Sequence, residues 1–291
     1  MAAPLAERSA IITGANQGLG REIARHYIRA GANVLLCARN EGLLAEAREE
    51  LAALAAPGQQ VLAQPSDVSL PGEGEAVVKA ALAAFGSVEI LVNNAGVQGA
   101  KGGVEVADWA EWIRTIEINL FGSVLLCRAV LPHFRARGYG KIVQLSGGGA
   151  TNPMPYLSAY AVSKAGIVRF VETLAEEVRG TGIEVNALAP GALNTRMLDE
   201  LLEAGPEKVG QAAYERALKQ KAAGGAPPAR AAELAVFLGG AGSDGITGKL
   251  ISALWDNWEQ WPEHRRELAG GDVYTLRRIT GRDRGMEWGD K

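Results

Sequence analysis

A glycine-rich turn between a short apolar strand and a helix constrains the fold of this chain more than any other segment. The predicted strand Ser9–Thr13 runs directly into the letters TGANQGLG, and a helix is predicted over Gly18–Ala30. Gly14 permits a tight turn, Gly18 lets the backbone approach an anion, and Gly20 allows close contact between helix and strand. Because the first N–H groups of a helix are unpaired, they can bind a phosphate. The turn therefore predicts a phosphate-binding βα unit, and a tight turn without a ligand is the alternative.

Short apolar runs and amphipathic helices alternate along most of the chain, which predicts a parallel sheet covered by helices on both faces. The fold class expected is α/β, a doubly wound parallel seven-stranded sheet in three layers. The predicted strands are Ser9–Thr13, Asn33–Cys37, Gln60–Ala63, Glu89–Val92, Lys141–Leu145, Ile183–Ala189 and Gly248–Ser252. The predicted helices are Gly18–Ala30, Glu41–Leu54, Glu75–Phe85, Trp109–Arg137, Tyr156–Arg179 and Arg230–Leu238.

Two segments depart from this alternation. Residues 192–228 form an insertion inside the domain predicted over residues 1–252, and insertions of that length are usually lids or binding segments. Residues 253–291 form a tail with four of the six tryptophans. The spacing of Trp255, Trp258 and Trp261 predicts one apolar helical face, packed on the body or on a neighbouring subunit. The alternative is a wall over a substrate pocket.

Composition and charge exclude several classes of protein. The formal net charge is −3, so a nucleic-acid partner is not expected. Cys37 and Cys127 stand apart from each other and from any histidine cluster, so neither a disulfide framework nor a metal site is expected. No signal peptide and no uninterrupted apolar run of membrane-spanning length is present. We therefore expect a cytoplasmic protein without a membrane partner.

The end of the second strand predicts which dinucleotide the turn would bind. A protein that binds NAD usually carries Asp or Glu about 20 residues after the glycine turn, where the carboxylate binds the ribose 2′-hydroxyl. This chain has Ala38 and then Arg39. A guanidinium binds a 2′-phosphate, which a carboxylate would repel. The sequence therefore favours NADP(H), with NAD(H) as the less favoured cofactor and a solvated surface arginine as the alternative.

Several motifs together give the chain a resemblance to the short-chain dehydrogenase/reductase family. The resemblance covers residues 7 to about 252. It implies a single Rossmann-like domain, a nicotinamide cofactor and hydride transfer between a carbonyl and an alcohol. The motifs are Thr13-Gly14-x-x-x-Gly18-x-Gly20, Asp67-Val68, Asn93-Asn94-Ala95-Gly96, Asn119, Tyr160-x-x-x-Lys164 and Pro190-Gly191.

The resemblance also implies which residues contact the cofactor. Asp67 and Val68 would contact the adenine, and Pro190 and Gly191 would pass the nicotinamide. Thr195 matches the family's contact to the nicotinamide carboxamide. The full predicted set is Gly14, Asn16, Gln17, Gly18, Leu19, Gly20, Arg39, Asp67, Val68, Asn94, Ala95, Gly96, Tyr160, Lys164, Pro190, Gly191, Leu193 and Thr195.

The catalytic chemistry is also predicted by the residues themselves. Tyr160 and Lys164 are four residues apart on a predicted helix and share one face. A nearby ammonium favours the phenolate, so we expect Lys164 to lower the pKa of Tyr160. The phenol would then exchange a proton with the substrate oxygen. By resemblance, Lys164 would also reach the ribose hydroxyls, and Asn119 would hold a water that links Lys164 to solvent.

One position departs from the family pattern. The family carries a serine 13 residues before the tyrosine, where its hydroxyl polarises the substrate oxygen, and this chain has Gly147 there. Ser146 lies one residue earlier, and a shift of one residue in a strand reverses the side-chain direction. Ser146 can serve if the glycines that follow deform the loop. Otherwise the donor is missing, or is a backbone N–H, Asn152 or a water.

We therefore expect an NADP(H)-dependent oxidoreductase with a small-molecule carbonyl or alcohol substrate. The catalytic set would be Tyr160, Lys164, Asn119 and Ser146. A homodimer or homotetramer formed through the two long helices is implied by the resemblance. The alternative from another class is a cofactor-binding sensor or scaffold with little turnover, which the glycine at position 147 favours. A sugar-nucleotide epimerase or dehydratase would need a larger substrate domain than this tail provides.

Overall fold

The computed structural model describes residues 3–286 and residue 288. Its centre is one parallel sheet of seven strands in the order β3-β2-β1-β4-β5-β6-β7, as the alternation predicted. The strands are β1 Ser9–Thr13, β2 Asn33–Ala38, β3 Val61–Pro65, β4 Ile90–Asn93, β5 Gly140–Leu145, β6 Ile183–Ala189 and β7 Leu250–Ser252.

Helices lie on both faces of the sheet, and their ends are within a few residues of the predicted ones. The first six helices are α1 Gly18–Arg29, α2 Glu41–Ala52, α3 Glu73–Phe85, α4 Trp109–Ile116, α5 Gly122–Arg137 and α6 Ser158–Glu177. The other five are α7 Arg196–Ala204, α8 Pro206–Val209, α9 Gln211–Ala223, α10 Pro228–Gly239 and α11 Arg265–Gly270.

Alternate residues of each central strand belong to different cores. In β1, Ala10 and Ile12 pack with the buried side chains of α1 and α10. Ile11, between them, packs with those of α3, α5 and α6, which include Phe134 and Val168. Both cores are built from side chains with almost no exposed surface, so the strands are apolar on both faces.

The strand order places a cleft at one edge of the sheet. The chain passes from β1 to β2, which pairs with one edge of β1, whereas β4 pairs with the opposite edge of β1. Loops that leave the carboxyl ends of β1 and β4 therefore separate and open a crevice between them. The glycine-rich turn follows β1 and the Asn94–Gly96 segment follows β4, so both predicted binding segments lie at this crevice.

The long predicted helix Trp109–Arg137 is helical throughout but is not one regular α-helix. A π-helical segment, Glu117–Phe121, lies between α4 and α5 and contains Asn119. Such insertions are frequent at functional sites. By length and composition this 29-residue stretch could cross a membrane, but half of its most apolar window is buried in the protein, as in a core helix of a globular domain.

The insertion at residues 192–228 folds into helices α7, α8 and α9. Its apolar side chains form a third small core, in which Leu198, Leu201 and Val209 pack with Leu157 beside the start of α6. Tyr160 is packed against this cluster. The insertion therefore covers one side of the region where the catalytic residues are predicted.

The prediction of one helical apolar face in the tail is wrong for Trp255. The regular structure begins only at Trp258, in a 3₁₀ helix that ends at Glu263. In that geometry residues three apart lie on one side, so Trp258 and Trp261 are both buried, each with 5% of its surface exposed. Trp255 lies before the helix, where Asp256 accepts a hydrogen bond from the Ser252 N–H, and it is 86% exposed.

The tail is fastened to the edge of the sheet. The Leu250 N–H of β7 donates to the Tyr274 carbonyl at 2.8 Å. The buried Lys249 ammonium donates to the carbonyls of Gly271 and Val273 at 3.0 and 3.1 Å. Arg277 forms ion pairs with two aspartates of the tail, Asp272 and Asp283. The edge strand is thereby paired rather than left open.

Candidate active site

One cleft of about 1210 Å³ runs along the carboxyl edge of the sheet and brings the predicted segments together. All the residues predicted to bind the cofactor line it, as do Ser146, Tyr160 and Lys164. Its walls come from the glycine-rich turn, the loops after β2 to β6, the insertion and the tail. Asn119 does not line the cleft and lies behind it, with 1% of its surface exposed.

The glycine-rich turn has the conformation that its glycines predicted. Gly14 and Gly18 have φ of +62° and +55°, the left-handed region that favours glycine. A Cβ on Gly20 would lie 2.2 Å from the Gly14 carbonyl oxygen, so no other residue fits without displacing the turn. Gln17 precedes α1 without capping it through its side chain, which leaves the first N–H groups of the helix available to an anion.

The loop after β4 is tied to the same turn. The Thr13 hydroxyl oxygen accepts hydrogen bonds from the N–H groups of Asn94 and Ala95, both at 3.0 Å. The Asn94 amide donates to the Thr13 and Gly14 carbonyls at 2.9 and 3.1 Å. These four hydrogen bonds fix the spacing between the two loops that border the cleft.

The end of the cleft beyond β2 and β3 carries one acidic and one basic side chain, Asp67 and Arg39. The Asp67 carboxylate pairs with Arg114 at 2.5 Å and accepts hydrogen bonds from Ser69, which together hold its pKa below the ordinary value against the opposing effect of burial. Val68 lies beside Asp67, buried. Arg39 is exposed at the cleft and forms no ion pair with any residue in the described ranges, so its guanidinium is available to an anion.

The loop after β6 forms the wall at the opposite end of the cleft. Thr195 precedes α7, and one of its side-chain carbons lies 3.9 Å from where a Cβ on Gly18 would be. The Leu193 carbonyl accepts a hydrogen bond from Gln220 of the insertion at 3.0 Å. A Cβ on Gly191 would lie 2.4 Å from the Leu254 side chain, so the tail packs directly against this loop.

Tyr160 and Lys164 lie in the first turns of α6, where Lys164 is buried and Tyr160 is half-buried. The Lys164 ammonium donates to the Leu145 carbonyl at 2.9 Å and lies 5.7 Å from the centre of the Tyr160 ring. Burial raises the pKa of the Tyr160 phenol to about 12 and lowers the pKa of the Lys164 ammonium to about 8. At neutral pH the phenol is therefore protonated and the lysine charged.

The prediction that Lys164 lowers the pKa of Tyr160 is wrong for this arrangement. Removal of both groups from water dominates, because it disfavours the charged form of each. The ammonium is directed to the Leu145 carbonyl rather than to the phenol oxygen. A buried phenol that keeps its proton is suited to give that proton to a developing alkoxide.

Asn119 positions the loop after β4. Its amide oxygen accepts from the Val97 N–H at 2.8 Å, and its amide nitrogen donates to the Val97 carbonyl and to Ser163 at 2.9 Å each. A Cβ on Gly96 would lie 3.3 Å from the Asn119 amide oxygen and 3.6 Å from the Lys164 ammonium. The asparagine and the lysine therefore face the same glycine, although no hydrogen bond joins them.

Position 147 faces the catalytic tyrosine. A Cβ on Gly147 would lie 2.7 Å from the Tyr160 hydroxyl oxygen, so the count of 13 residues identifies the right position and the family's serine is absent from it. Ser146 is 4% exposed, lines the same cleft, and its hydroxyl has no hydrogen-bond partner. Because β5 ends at Leu145, Ser146 lies beyond the regular alternation of the strand.

Sequence reasoning missed several residues of the cleft. Gln98 lines it with 7% of its surface exposed, and its amide oxygen has no hydrogen-bond partner. The tail also reaches the cleft wall: Trp255 lines it, as the alternative interpretation of the tail tryptophans predicted, and Asp256 and Tyr274, which were not predicted, line it too. Gln98 could have been predicted from its position, because it lies two residues after the Asn93-Asn94-Ala95-Gly96 motif. The placement of Tyr274 depends on long-range contacts that no local pattern encodes.

No metal site appears among the residues that the structure describes, where no three His, Cys, Asp or Glu side chains come together. Cys37 and Cys127 are buried free thiols, and burial raises the pKa of each to about 12.

Comparison with known proteins agrees with this geometry. The short chain dehydrogenase family matches residues 8–205. Dehydrogenase/reductase SDR family member 7B of Bos taurus is 37% identical over 203 residues, which are 69% of this chain and 62% of that protein. 3beta-hydroxysteroid dehydrogenase 1 of Eggerthella lenta is 36% identical over 247 residues, 84% of this chain and 91% of its own length.

Solved structures show the same architecture. A crystal structure of actinorhodin polyketide ketoreductase with NADPH superposes with a TM-score of 0.77 at 32% identity, covering 87% of this chain and 97% of that one. The motifs from the glycine-rich turn to Pro190-Gly191, with Tyr160 and Lys164 among them, all lie within the residues 8–205 that the family matches. This chain belongs to the short-chain dehydrogenase/reductase family, whose members bind nicotinamide cofactors and act on alcohol and carbonyl groups.

Proposed function

We propose that this protein is an NADP(H)-dependent oxidoreductase that interconverts a carbonyl and a secondary alcohol. The observation that carries the proposal is that Tyr160 and Lys164 line the same cleft as the glycine-rich turn. The cofactor would supply or accept the hydride. Residues 14–20 suit its pyrophosphate, because their glycines hold the positive φ and the close approach that such a site needs.

The side chains of the cleft can act in the direction of carbonyl reduction. Tyr160 holds a proton at neutral pH and would give it to the substrate oxygen as charge develops there. Lys164 is charged below pH 8 and stabilises negative charge nearby. The insertion packs beside Tyr160 and would exclude water from the substrate. Asn119 would hold the loop through Val97 and, we propose, orders a water that returns a proton to Lys164.

Turnover is tested by mixing the protein with NADPH and a panel of aldehydes, ketones and keto-sugars, and following the absorbance of NADPH. Oxidation that depends on a carbonyl compound supports the proposal. The absence of the serine hydroxyl at position 147 favours one rival, a cofactor-binding sensor. Tight binding of NADPH without oxidation across the panel would establish that rival and contradict the proposed reaction.

We expect replacement of Arg39 by alanine to weaken NADPH binding by about 10–100-fold and to leave NADH binding nearly unchanged. The unpaired guanidinium is suited to a 2′-phosphate, and a charge-assisted hydrogen bond contributes about 1.5–3 kcal/mol. Calorimetric titration of both cofactors measures the effect. Titration of the wild type and the variant with NADH is the internal control. Equal losses of affinity for NADPH and NADH would show that Arg39 does not determine the cofactor preference.

We expect Ser146→Ala to lower kcat for reduction by about 10²–10³-fold with little change in NADPH affinity. The reason is that the Ser146 hydroxyl is buried at the cleft without a hydrogen-bond partner, so it can donate a hydrogen bond to a substrate oxygen. Steady-state and single-turnover kinetics measure the loss. Thr151→Val removes another hydroxyl from the cleft lining and is the matched control. An unchanged kcat in Ser146→Ala would exclude this serine from the reaction.

The outer faces of the two long helical stretches suggest a homodimer or homotetramer. Trp109, Phe121 and Val162 are large apolar side chains on them, between about half and two thirds exposed. We propose that they meet the same surface of a second copy, which sedimentation velocity can test.

We also propose a cytoplasmic location, with which two free thiols are compatible.

A further inference from the structure

The loop after β4 holds a buried polar side chain that no part of the proposed mechanism uses. Gln98 is 7% exposed and lines the cleft. Its side-chain oxygen is shielded from solvent and has no hydrogen-bond partner. Buried amides in proteins are nearly always paired, so an unpaired one at a binding cleft indicates a partner that is not part of the protein.

The backbone on both sides of Gln98 is fixed. Val97 is bound through its N–H and its carbonyl to the Asn119 side chain at 2.8 and 2.9 Å. Gly99 has φ of +67°, and a Cβ there would lie 1.7 Å from the Thr115 hydroxyl. The backbone of Gln98 is therefore held between two fixed neighbours, which keeps this residue at the cleft.

The position of Gln98 relates it to the reacting end of the cleft. Gly96, two residues earlier, faces the Lys164 ammonium, since a Cβ there would lie 3.6 Å from that nitrogen. Ser146, on the loop after the neighbouring strand β5, is the other unpaired buried group at this end. Tyr160 and Ser146 suffice for the carbonyl oxygen that reacts, which leaves Gln98 for a different substrate atom.

We propose that Gln98 determines specificity by binding a second oxygen of the substrate, next to the carbonyl that is reduced. This inference rests on the proposed function and names its substrate class: α-hydroxy ketones and related carbonyl compounds with an adjacent oxygen. An amide suits this role because it both donates and accepts hydrogen bonds. Met154, Leu198 and Leu201 line the same cleft and give the rest of the substrate an apolar surface.

The test compares two ketones that differ by one hydroxyl, 2-hydroxyacetophenone and acetophenone, with the wild type and Gln98→Leu. Leucine approximates the volume of glutamine without its polar atoms. We expect the wild type to prefer the hydroxy ketone in kcat/KM by at least about tenfold. In Gln98→Leu that preference falls to near one, because only the reaction of the hydroxy ketone is slowed. Gln98→Glu keeps the acceptor oxygens and is expected to keep part of the preference.

Binding of both ketones to the complex of the protein with NADP⁺ is measured by calorimetry in parallel. If neither ketone is reduced, the full carbonyl panel decides the proposed function, whereas loss of a hydroxyl-dependent difference in Kd in Gln98→Leu still supports the role of Gln98. Equal losses for both ketones would overturn the inference, because they indicate a structural role. A weaker NADPH Kd with the preference intact would also overturn it and make Gln98 a cofactor contact.

Discussion

Replacement of Tyr160 by phenylalanine is expected to lower kcat/KM for carbonyl reduction by about 10²–10⁴-fold, the range that general acid catalysis contributes. Phenylalanine keeps the ring and removes only the hydroxyl, which makes no hydrogen bond to any residue in the described part of the chain. The thermal midpoint and the NADPH Kd should therefore stay close to the wild-type values. Stopped-flow measurement of NADPH oxidation separates the chemical step from cofactor binding.

Tyr214→Phe is the matched control for this substitution. Tyr214 and Tyr160 are both half-buried and pack against the small core of the insertion, so replacing Tyr214 tests whether loss of another phenol hydroxyl on this core slows turnover. We expect Tyr214→Phe to reduce ketones at nearly the wild-type rate. Equal activity of Tyr160→Phe and the wild type would show that another group protonates the substrate.

Replacement of Gly20 by alanine is expected to be the most damaging change in the glycine-rich turn. The new Cβ would lie 2.2 Å from the Gly14 carbonyl oxygen and 2.4 Å from the Asn94 amide nitrogen. Because backbone atoms cannot rotate away as a side chain can, the turn itself must move. We expect a loss of about 1–3 kcal/mol in the free energy of unfolding, and an NADPH Kd raised by at least about tenfold.

Gly270→Ala is the control for Gly20→Ala. Gly270 is also helical, but nothing lies within 4 Å of a Cβ at that position. Alanine there should leave NADPH binding unchanged and should not destabilise the fold. Chemical denaturation and calorimetry, applied to both variants, give the comparison. If Gly20→Ala bound NADPH as tightly as the wild type, the turn would not be a phosphate site.

The sequence predicted the sheet well, because parallel strands buried on both faces are continuous apolar runs with clear ends. Ile183–Ala189 is the clearest case, since its observed bounds equal the predicted ones. The conformation of the glycine-rich turn was predicted equally well, because the positive φ of Gly14 and Gly18 and the close approach of Gly20 to Gly14 are local requirements. The Tyr160–Lys164 pair was predicted from helical spacing together with the other motifs of the family resemblance.

Long-range packing explains what sequence reasoning missed. The π-helical segment around Asn119 is a small change in hydrogen bonding that leaves the apolar pattern of Trp109–Arg137 intact. Trp255 follows the same three-residue spacing as Trp258, yet a turn at Asp256 precedes the helix and leaves it exposed. The pKa of Tyr160 depends on burial, which four-residue spacing does not reveal.

A crystal structure of the protein with bound NADP⁺ tests the central claim most directly, because that claim joins the Tyr160 phenol at the cleft to the hydride-transfer centre. The measured quantity is the position of the nicotinamide ring relative to the Tyr160 hydroxyl. The account predicts that the ring lies between Gly191 and Tyr160, with space for a carbonyl that contacts both the hydroxyl and the reactive ring carbon. A nicotinamide ring outside the cleft, or one separated from Tyr160 by other side chains, would contradict it.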